Sequence, residues 1–242
     1  MPRAVRLVLS IGMSLLAAGV LLEGGLIGLR VSEALTGAED SKAFQLLQSP
    51  AAARILMVGD DAGVGSGVAL SSASVAGRIA QRYPCVSIVN RARDGATVRD
   101  VAAQIDGTGD THFDLLLVLA GANDVLRFVS DEETARAARA MLAIAGARAR
   151  HVVFLNSSRL ESRLLPPPLG PWYQRRALEK ARVLSQVSRA AGVEYVDAPM
   201  DGSALTAANV WWPARLHADD DTYARWFRLL MGKSRVAPLL QC

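Results

Sequence analysis

The sequence has few of the residues from which metal centres and disulfide frameworks are built. Only two of its 242 residues are cysteines, and neither belongs to a metal-ligand spacing. Cys85 lies in a short apolar run and Cys242 is the last residue. We therefore expect Cys85 to be a small core residue, and we expect no disulfide framework, no metal and no other cofactor.

The glycine-rich stretch after the first apolar run lacks the motifs that would identify it alone. Val68 and Leu70 stand where the third glycine of a dinucleotide-binding motif would fall, and no lysine follows at the spacing of a phosphate-binding loop. Ser66 is flanked by Val64 and Val68 rather than by the two glycines of a G-x-S-x-G motif. Nucleotide binding and the α/β-hydrolase elbow are thus disfavoured.

The sequence also lacks a basic surface of the kind that binds nucleic acid. The 27 Lys and Arg residues against 23 Asp and Glu give a formal net charge of only +4. These basic residues are scattered, and no stripe of them alternates with aromatic residues. The composition therefore predicts no nucleic-acid partner.

An apolar segment near the N-terminus predicts a targeting or anchoring element. Arg3 and Arg6 precede the uncharged run Leu7–Leu22, which is interrupted by Glu23 before apolar residues resume. We expect a membrane anchor through residues 7–29, with the following domain outside the cytoplasm. Glu23 would then lie near an interface, because a carboxylate at the bilayer centre costs about 3 kcal/mol. A cleaved signal peptide, giving a secreted protein, and a buried core helix remain alternatives.

The rest of the chain alternates short apolar runs with amphipathic stretches, which is typical of a parallel, doubly wound α/β sheet. We divide the chain into the N-terminal segment 1–30, a polar connector 31–50 and one domain, 51–235. Strands are predicted at Arg54–Val58, Val86–Val89, Phe113–Leu119, His151–Leu155 and Val193–Val196. Helices are predicted at Ser72–Tyr83, Thr97–Ile105, Asp131–Ala147, Trp172–Ala191 and Asp220–Met231, with a rigid surface loop at Arg159–Pro171.

Polar residues follow the first three of these strands and precede the last helix. They are Asp60 and Asp61, the segment Asn90–Gly95, the segment Gly121–Asp124, and His217. Because open α/β sheets bind ligands at the carboxyl ends of their strands, these residues are expected to converge there.

These four blocks, in this order, resemble those of the SGNH/GDSL hydrolase superfamily over residues 54–230. The matching blocks are Gly59-Asp60-Asp61, Asp94-Gly95-Ala-Thr, Gly121-Ala-Asn123-Asp124, and His217 with the residues after it. The resemblance implies a flavodoxin-like, three-layer α/β/α fold with a five-stranded parallel sheet, to which the N-terminal hydrophobic helix is added. It also implies ancestry among esterases, lipases and deacetylases, and hence an acyl-ester, lipid or acylated carbohydrate ligand.

By the same resemblance, four residues form the catalytic site. Gly95, through its N–H, and Asn123, through its side-chain amide, would form most of an oxyanion hole, and His217 would be the base. Asp61 stands where the family has its nucleophilic serine, and Ala214 stands where the family has the aspartate that orients the histidine. The attacking oxygen and the orienting carboxylate of the triad are therefore missing.

The aspartate predicts an impaired or inactive hydrolase. A carboxylate about 4 Å from an oxyanion would oppose it by roughly 4 kcal/mol at an effective dielectric constant near 20. The chain would then bind a carbohydrate, lipid or acyl ligand without turnover, or act as a partner in envelope assembly. An active hydrolase could instead use Asp61 as nucleophile or general base with His217. A metal site made of Asp60, Asp61 and His217 is the weakest alternative. We also expect Asp61 and a protonated His217 to form an ion pair that holds the cleft closed.

Overall fold

A five-stranded parallel sheet forms the centre of the domain. The computed structural model describes residues 42–159, 169–200 and 218–242, together with Gly25. The strands are β1 (Arg54–Gly59), β2 (Ser87–Asn90), β3 (Phe113–Ala120), β4 (Ala149–Asn156) and β5 (Glu194–Asp197). Every neighbouring pair is parallel, and the order across the sheet is β2-β1-β3-β4-β5. The flavodoxin-like fold expected from the sequence is thus confirmed.

Helices connect the strands, and most lie where the sequence pattern predicts them. They are α1 (Asp61–Val64), α2 (Val75–Arg82), α3 (Val98–Asp106), α4 (Ala122–Leu126), α5 (Asp131–Arg148), α6 (Leu169–Ala190), α7 (Asp220–Lys233) and α8 (Val236–Leu239). The predicted helix Ser72–Tyr83 is divided, because the Ser74 hydroxyl accepts the Gly77 N–H at 3.2 Å and so begins α2 only after a 3-10 turn. Helix α6 begins three residues before the predicted start, inside the segment expected to be a loop.

Both faces of the sheet are covered, which produces the three layers. Along β3, Leu115 and Leu117 contribute to one buried apolar cluster, which also contains residues of α2 and α7. Leu116 and Val118 contribute to the opposite cluster, with residues of α3, α5 and α6. Successive side chains of a strand point to opposite faces, so a strand buried on both sides appears in the sequence as a continuous apolar run.

The predicted anchor, residues 7–29, lies outside the described residues except for Gly25. Within the described part of the chain, no helix has both the length and the apolar character needed to cross a bilayer. The last residues of the predicted connector lie against β2: Leu46 forms an isolated antiparallel bridge with Ile88, and Gln48 Nε2 donates to the Pro84 carbonyl at 2.7 Å.

Cys85 and Cys242 are joined by a disulfide, with their Cα atoms 5.8 Å apart. The expectation of a reduced core cysteine was therefore wrong. Cys85 is only half-buried, in the turn before β2, and α8 leads the end of the chain to it. Because 157 residues separate the two cysteines, no local spacing could have revealed the pairing.

This disulfide predicts a large loss of stability when it is removed. A cross-link over so long a loop restricts the unfolded chain, and its loss typically costs about 2–4 kcal/mol. The double variant Cys85→Ser, Cys242→Ser should show that decrease in unfolding free energy in a urea titration without reductant. Dithiothreitol should destabilise the wild type and leave the double variant unchanged. Equal stability of the two proteins without reductant would show that the bridge does not form.

Candidate active site

The end of β1 is fixed closely against the end of β3, and this contact positions the two aspartates that follow. Gly59 has φ +141°, and a Cβ at that position would lie 1.8 Å from the Leu119 carbonyl oxygen, so only glycine fits. The Gln104 side chain holds the backbone of the same residue, accepting the Gly59 N–H at 2.7 Å and donating to the Gly59 carbonyl at 2.9 Å. Asp60 and Asp61 therefore begin α1 at the carboxyl edge of the sheet.

The carboxylate of Asp61 lies between the two groups that were expected to form the oxyanion hole. The Gly95 N–H donates to Asp61 Oδ2 at 3.1 Å, and Asn123 Nδ2 donates to the same oxygen at 2.7 Å. Gly95 has φ +71°, a conformation that favours glycine, and Asn123 is buried at the start of α4. The structure thus brings together three of the four predicted site residues, while His217 lies outside the described residues.

This arrangement differs from the electrostatic expectation. The sequence suggested a charge beside the pocket, opposing an oxyanion held within it. Instead, the Asp61 carboxylate itself occupies the space between the Gly95 N–H and Asn123 Nδ2, which we call the oxyanion pocket. These two donors stabilise the charge of the carboxylate. Ala214 also lies outside the described residues. The predicted ion pair between Asp61 and His217 stays a prediction, because His217 is not described either.

The neighbouring carboxyl group of Asp60 has a different, structural role. Its side chain is 1% exposed, and its Oδ1 accepts the Ala62 N–H at 3.0 Å, which caps α1. Burial raises the pKa of Asp60 well above its usual value, and the charge of Asp61 raises that pKa further. Burial and the neighbouring charge of Asp61 thus both disfavour the ionised form of Asp60.

A buried tyrosine of α7 supports the backbone around Asp61. The Tyr223 hydroxyl lies 3.0 Å from the Ser66 carbonyl oxygen and 3.3 Å from the Asp61 carbonyl oxygen. Burial raises the pKa of Tyr223 well above its usual value, and nearby Asp60 raises it further. Tyr223 therefore remains a neutral hydrogen-bond donor, and it links α7 to the segment after β1.

The loops after β1 and β2 are tied to one another. Asn90 Nδ2 donates to the Gly63 carbonyl at 2.9 Å, and the Ser66 hydroxyl donates to the Asp94 carboxylate. These bonds fix the backbone just before Gly95, so the N–H of Gly95 is held in place to meet Asp61.

Asp124 links the turn that carries Asn123 to the start of α3. Its Oδ2 accepts the Val98 N–H at 3.0 Å, and its Oδ1 lies 3.4 Å from the Thr134 hydroxyl. Burial raises the pKa of Asp124 to about 6, although Lys180 opposes the shift.

Sequence reasoning missed three residues near this site. Arg127 and Phe128 follow the Gly121–Asp124 block after two intervening residues, and a Cβ on Gly95 would lie 2.9 Å from Arg127 Nη2. Trp172 meets Phe128, with 5.2 Å between the ring centroids. For Arg127 and Phe128 the only signal in the sequence was their position shortly after a motif, and Trp172 had no such signal.

The described residues include no group of three His, Cys, Asp or Glu side chains that could hold a metal ion. The metal alternative also requires His217, which is not described. Asp60 and Asp61 are the two members that the structure places, and Asp60 uses its Oδ1 to cap α1.

A double-mutant cycle should detect the bond between Asp61 and Asn123. If Asn123 stabilises the Asp61 carboxylate, then Asp61→Ala and Asn123→Ala should be coupled in unfolding free energy by about 1–2 kcal/mol. The control pair is Asp61→Ala with Asp114→Ala, at the opposite end of β3, and its effects should add. Additivity in both pairs would mean that Asn123 does not hold Asp61.

The raised pKa of Asp124 predicts a pH-dependent loss of stability. Its pKa in the folded protein, about 6, lies above the unfolded value of 3.8. The stabilising contribution of Asp124 to the free energy of unfolding is therefore complete below pH 3.8 and is lost as the pH rises through 6. As the pH rises from 4 to 7, the unfolding free energy of Asp124→Asn should therefore increase relative to that of the wild type by on the order of 3 kcal/mol. Urea titrations at several pH values measure this difference, and parallel pH profiles for the two proteins would refute it.

Comparison with solved structures gives the same fold at low sequence identity. Axe2, an acetylxylan esterase from Geobacillus stearothermophilus, is 18% identical with a TM-score of 0.56, covering 77% of this chain and 96% of that chain. LAE5, an alpha/beta hydrolase enzyme from the metagenome of Lake Arreo, is 16% identical with a TM-score of 0.58, covering 79% and 98%. A member of the lipolytic G-D-S-L family from Veillonella parvula is 13% identical with a TM-score of 0.57, covering 74% and 96%.

No curated protein sequence gives a significant match. The structural similarities above are at identities that support the fold alone. The sequence itself, however, matches the GDSL-like lipase/acylhydrolase family over residues 58–225, which is well over half of the chain. This chain therefore belongs to the GDSL-like lipase/acylhydrolase family.

Proposed function

We propose that this protein is a non-catalytic member of its family, a ligand-binding domain in which an aspartate side chain fills the oxyanion hole. The observation that carries the proposal is the pair of hydrogen bonds from the Gly95 N–H and Asn123 Nδ2 to Asp61 Oδ2, at 3.1 and 2.7 Å. In an ester hydrolase, such donors stabilise the negative charge that develops on the substrate carbonyl. Here they already stabilise a permanent charge.

An ester carbonyl could use these donors only after displacing the carboxylate. Hydrogen bonds to a charged group contribute about 1.5–3 kcal/mol each, and losing one oxyanion donor already slows a typical hydrolase by about 10²–10³-fold. The same two bonds disfavour Asp61 as a nucleophile, because they hold one carboxylate oxygen in the hole. They also neutralise part of the charge with which the other oxygen would attack.

The ligand class follows from the family. We propose that the cleft binds an acyl-ester, lipid or acylated carbohydrate ligand, or that it serves a partner in envelope assembly. The support is the shared fold of acetylxylan esterases such as Axe2 and the retained Gly95 and Asn123. Binding without turnover requires neither a nucleophile nor an oriented histidine.

We further propose that the domain lies outside the cytoplasm, held by the N-terminal segment. Arg3 and Arg6 before the run Leu7–Leu22 support this orientation. The Cys85–Cys242 disulfide supports it independently, because such bridges persist in oxidising compartments and are rare in the cytosol.

Restoring the two missing triad members should restore activity. The unaltered protein should neither react with a serine-directed fluorophosphonate probe in the cleft nor hydrolyse p-nitrophenyl acetate above background. Asp61→Ser empties the oxyanion hole and supplies a nucleophile, and Ala214→Asp supplies the carboxylate that orients His217. The double variant should gain labelling and slow hydrolysis, while Ala214→Asp alone gains neither, because triad members act as a unit.

Asn123→Ala in the double variant is the matched control, and it should reduce the gained rate by about 10²–10³-fold. Ester hydrolysis by the unaltered protein that disappears in Asp61→Ala would make Asp61 a working catalytic residue. That result would replace the present proposal with an active hydrolase of altered chemistry.

A further inference from the structure

An exposed aromatic side chain is held in an unfavourable backbone conformation next to the oxyanion donors. Phe128 has φ +56°, and it is the one non-glycine residue of the described chain with a positive φ. Its side chain is 71% exposed, the highest value among the large apolar residues described. A bulky residue in this region is strained, and strain of this kind collects at functional sites.

The surrounding structure holds this conformation firmly. The Val129 N–H donates to the Asp124 carbonyl at 3.0 Å, which closes the turn around Phe128. The Val129 carbonyl accepts from Lys180 Nζ at 2.6 Å, and the same ammonium donates to Asp131 Oδ1 at 2.6 Å. Lys180 is fully buried, so removing this pairing would leave a buried charge. The turn is therefore fixed, although the ring that it displays is not buried.

Trp172 supports the ring of Phe128 from one side. The two ring planes are inclined by 40°, with 5.2 Å between their centroids. Trp172 itself is partly buried and packs against a small apolar cluster of Val125, Tyr173 and Ala177. Together the two rings form a firm, solvent-facing aromatic surface.

Arg127, the residue before Phe128, adds a positive charge beside the oxyanion pocket. Its exposed guanidinium lies close to Gly95, since a Cβ built there would come within 2.9 Å of Nη2. Among the described residues, Arg127 has no carboxylate partner within salt-bridge distance. Helix α4 and the turn that ends it thus carry a donor of the oxyanion pocket at Asn123, a cation at Arg127 and an exposed ring at Phe128.

We propose that Arg127, Phe128 and Trp172 form a binding subsite for an acidic pyranose, such as a hexuronic acid residue of a glycan. The proposal rests on the proposed function, because it names the ligand class of the same cleft. The C–H groups of a pyranose pack against the aromatic surface, and its carboxylate pairs with the Arg127 guanidinium.

The shape of the surface favours a rigid ring over an acyl chain. An acyl chain gains free energy by being enclosed in apolar surroundings, because that gain scales with the apolar area removed from water. Phe128 offers an open face rather than an enclosed groove. A stiff ring that already has a flat apolar side loses less conformational entropy there than a flexible chain. The adjacent guanidinium of Arg127 selects an acidic sugar over a neutral one.

The test is a calorimetric titration of the full chain, in a detergent without a sugar headgroup, with trigalacturonic acid. Xylotriose provides a neutral sugar of equal length, and butyrate provides an acyl anion without a ring. We expect trigalacturonic acid to bind at least tenfold more tightly than either. Phe128→Gly, Trp172→Ala and Arg127→Gln should each weaken that binding at least tenfold. Leu70→Ala and Arg182→Gln, which remove an exposed apolar side chain and an exposed charge elsewhere, should leave it unchanged.

A thermal melt separates a binding role from a structural one. Glycine relieves the strain of the positive φ at residue 128 but increases the entropy of the unfolded chain, so Phe128→Gly should change the melting temperature little while it weakens binding. A large fall in the melting temperature would show that Phe128 is a structural residue. Equal affinity for xylotriose, tighter binding of butyrate, or no binding of trigalacturonic acid would each overturn the proposal. Ester hydrolysis that depends on Asp61 would overturn the proposed function instead, and it would not alter the outcome with these non-ester ligands.

Discussion

The active edge of this protein depends on where one carboxylate oxygen is placed. Asp61 Oδ2 accepts from a backbone N–H and from a buried side-chain amide, at 3.1 and 2.7 Å. These bonds satisfy two donors that would otherwise point into an open cleft, and they compensate the charge that they receive. The chain thus keeps the fold of its family while these two donors bind a side chain of the protein itself.

The neighbouring residues at the carboxyl edge of the sheet are arranged so that these two hydrogen bonds to Asp61 can form. Gly59 allows β1 to end against the Leu119 carbonyl, which brings Asp61 to the level of Asn123. The link between Asn90 and the Gly63 carbonyl fixes the loops on the other side. Asp60 is buried and caps α1 through its Oδ1, and burial raises its pKa well above the usual value. The two adjacent aspartates therefore have different roles, since Asp60 begins the helix while Asp61 accepts from Gly95 and Asn123.

The sheet could be predicted from the sequence because strands that are buried on both faces appear as continuous apolar runs, of which β3 is the clearest example. It also indicated which residues follow the strand ends. It could not indicate that Asp61 would enter the pocket rather than face it, since that depends on a side-chain torsion and on two donors distant in sequence. The Cys85–Cys242 bridge and the aromatic pair of Phe128 with Trp172 were missed for the same reason. Each joins residues that only the folded chain brings together.

The central claim is that the Asp61 carboxylate occupies the oxyanion pocket, and proton NMR tests it most directly. An N–H that donates to a carboxylate is strongly deshielded, so the Gly95 amide proton and an Asn123 side-chain amide proton should both resonate downfield in the unaltered protein. In Asp61→Ala both should move upfield together, while the side-chain amide of Gln104, which donates to the Gly59 carbonyl at 2.9 Å, should keep its shift. If the Gly95 and Asn123 protons shift no more than those of Gln104, the pocket is not occupied by Asp61 and the account is wrong.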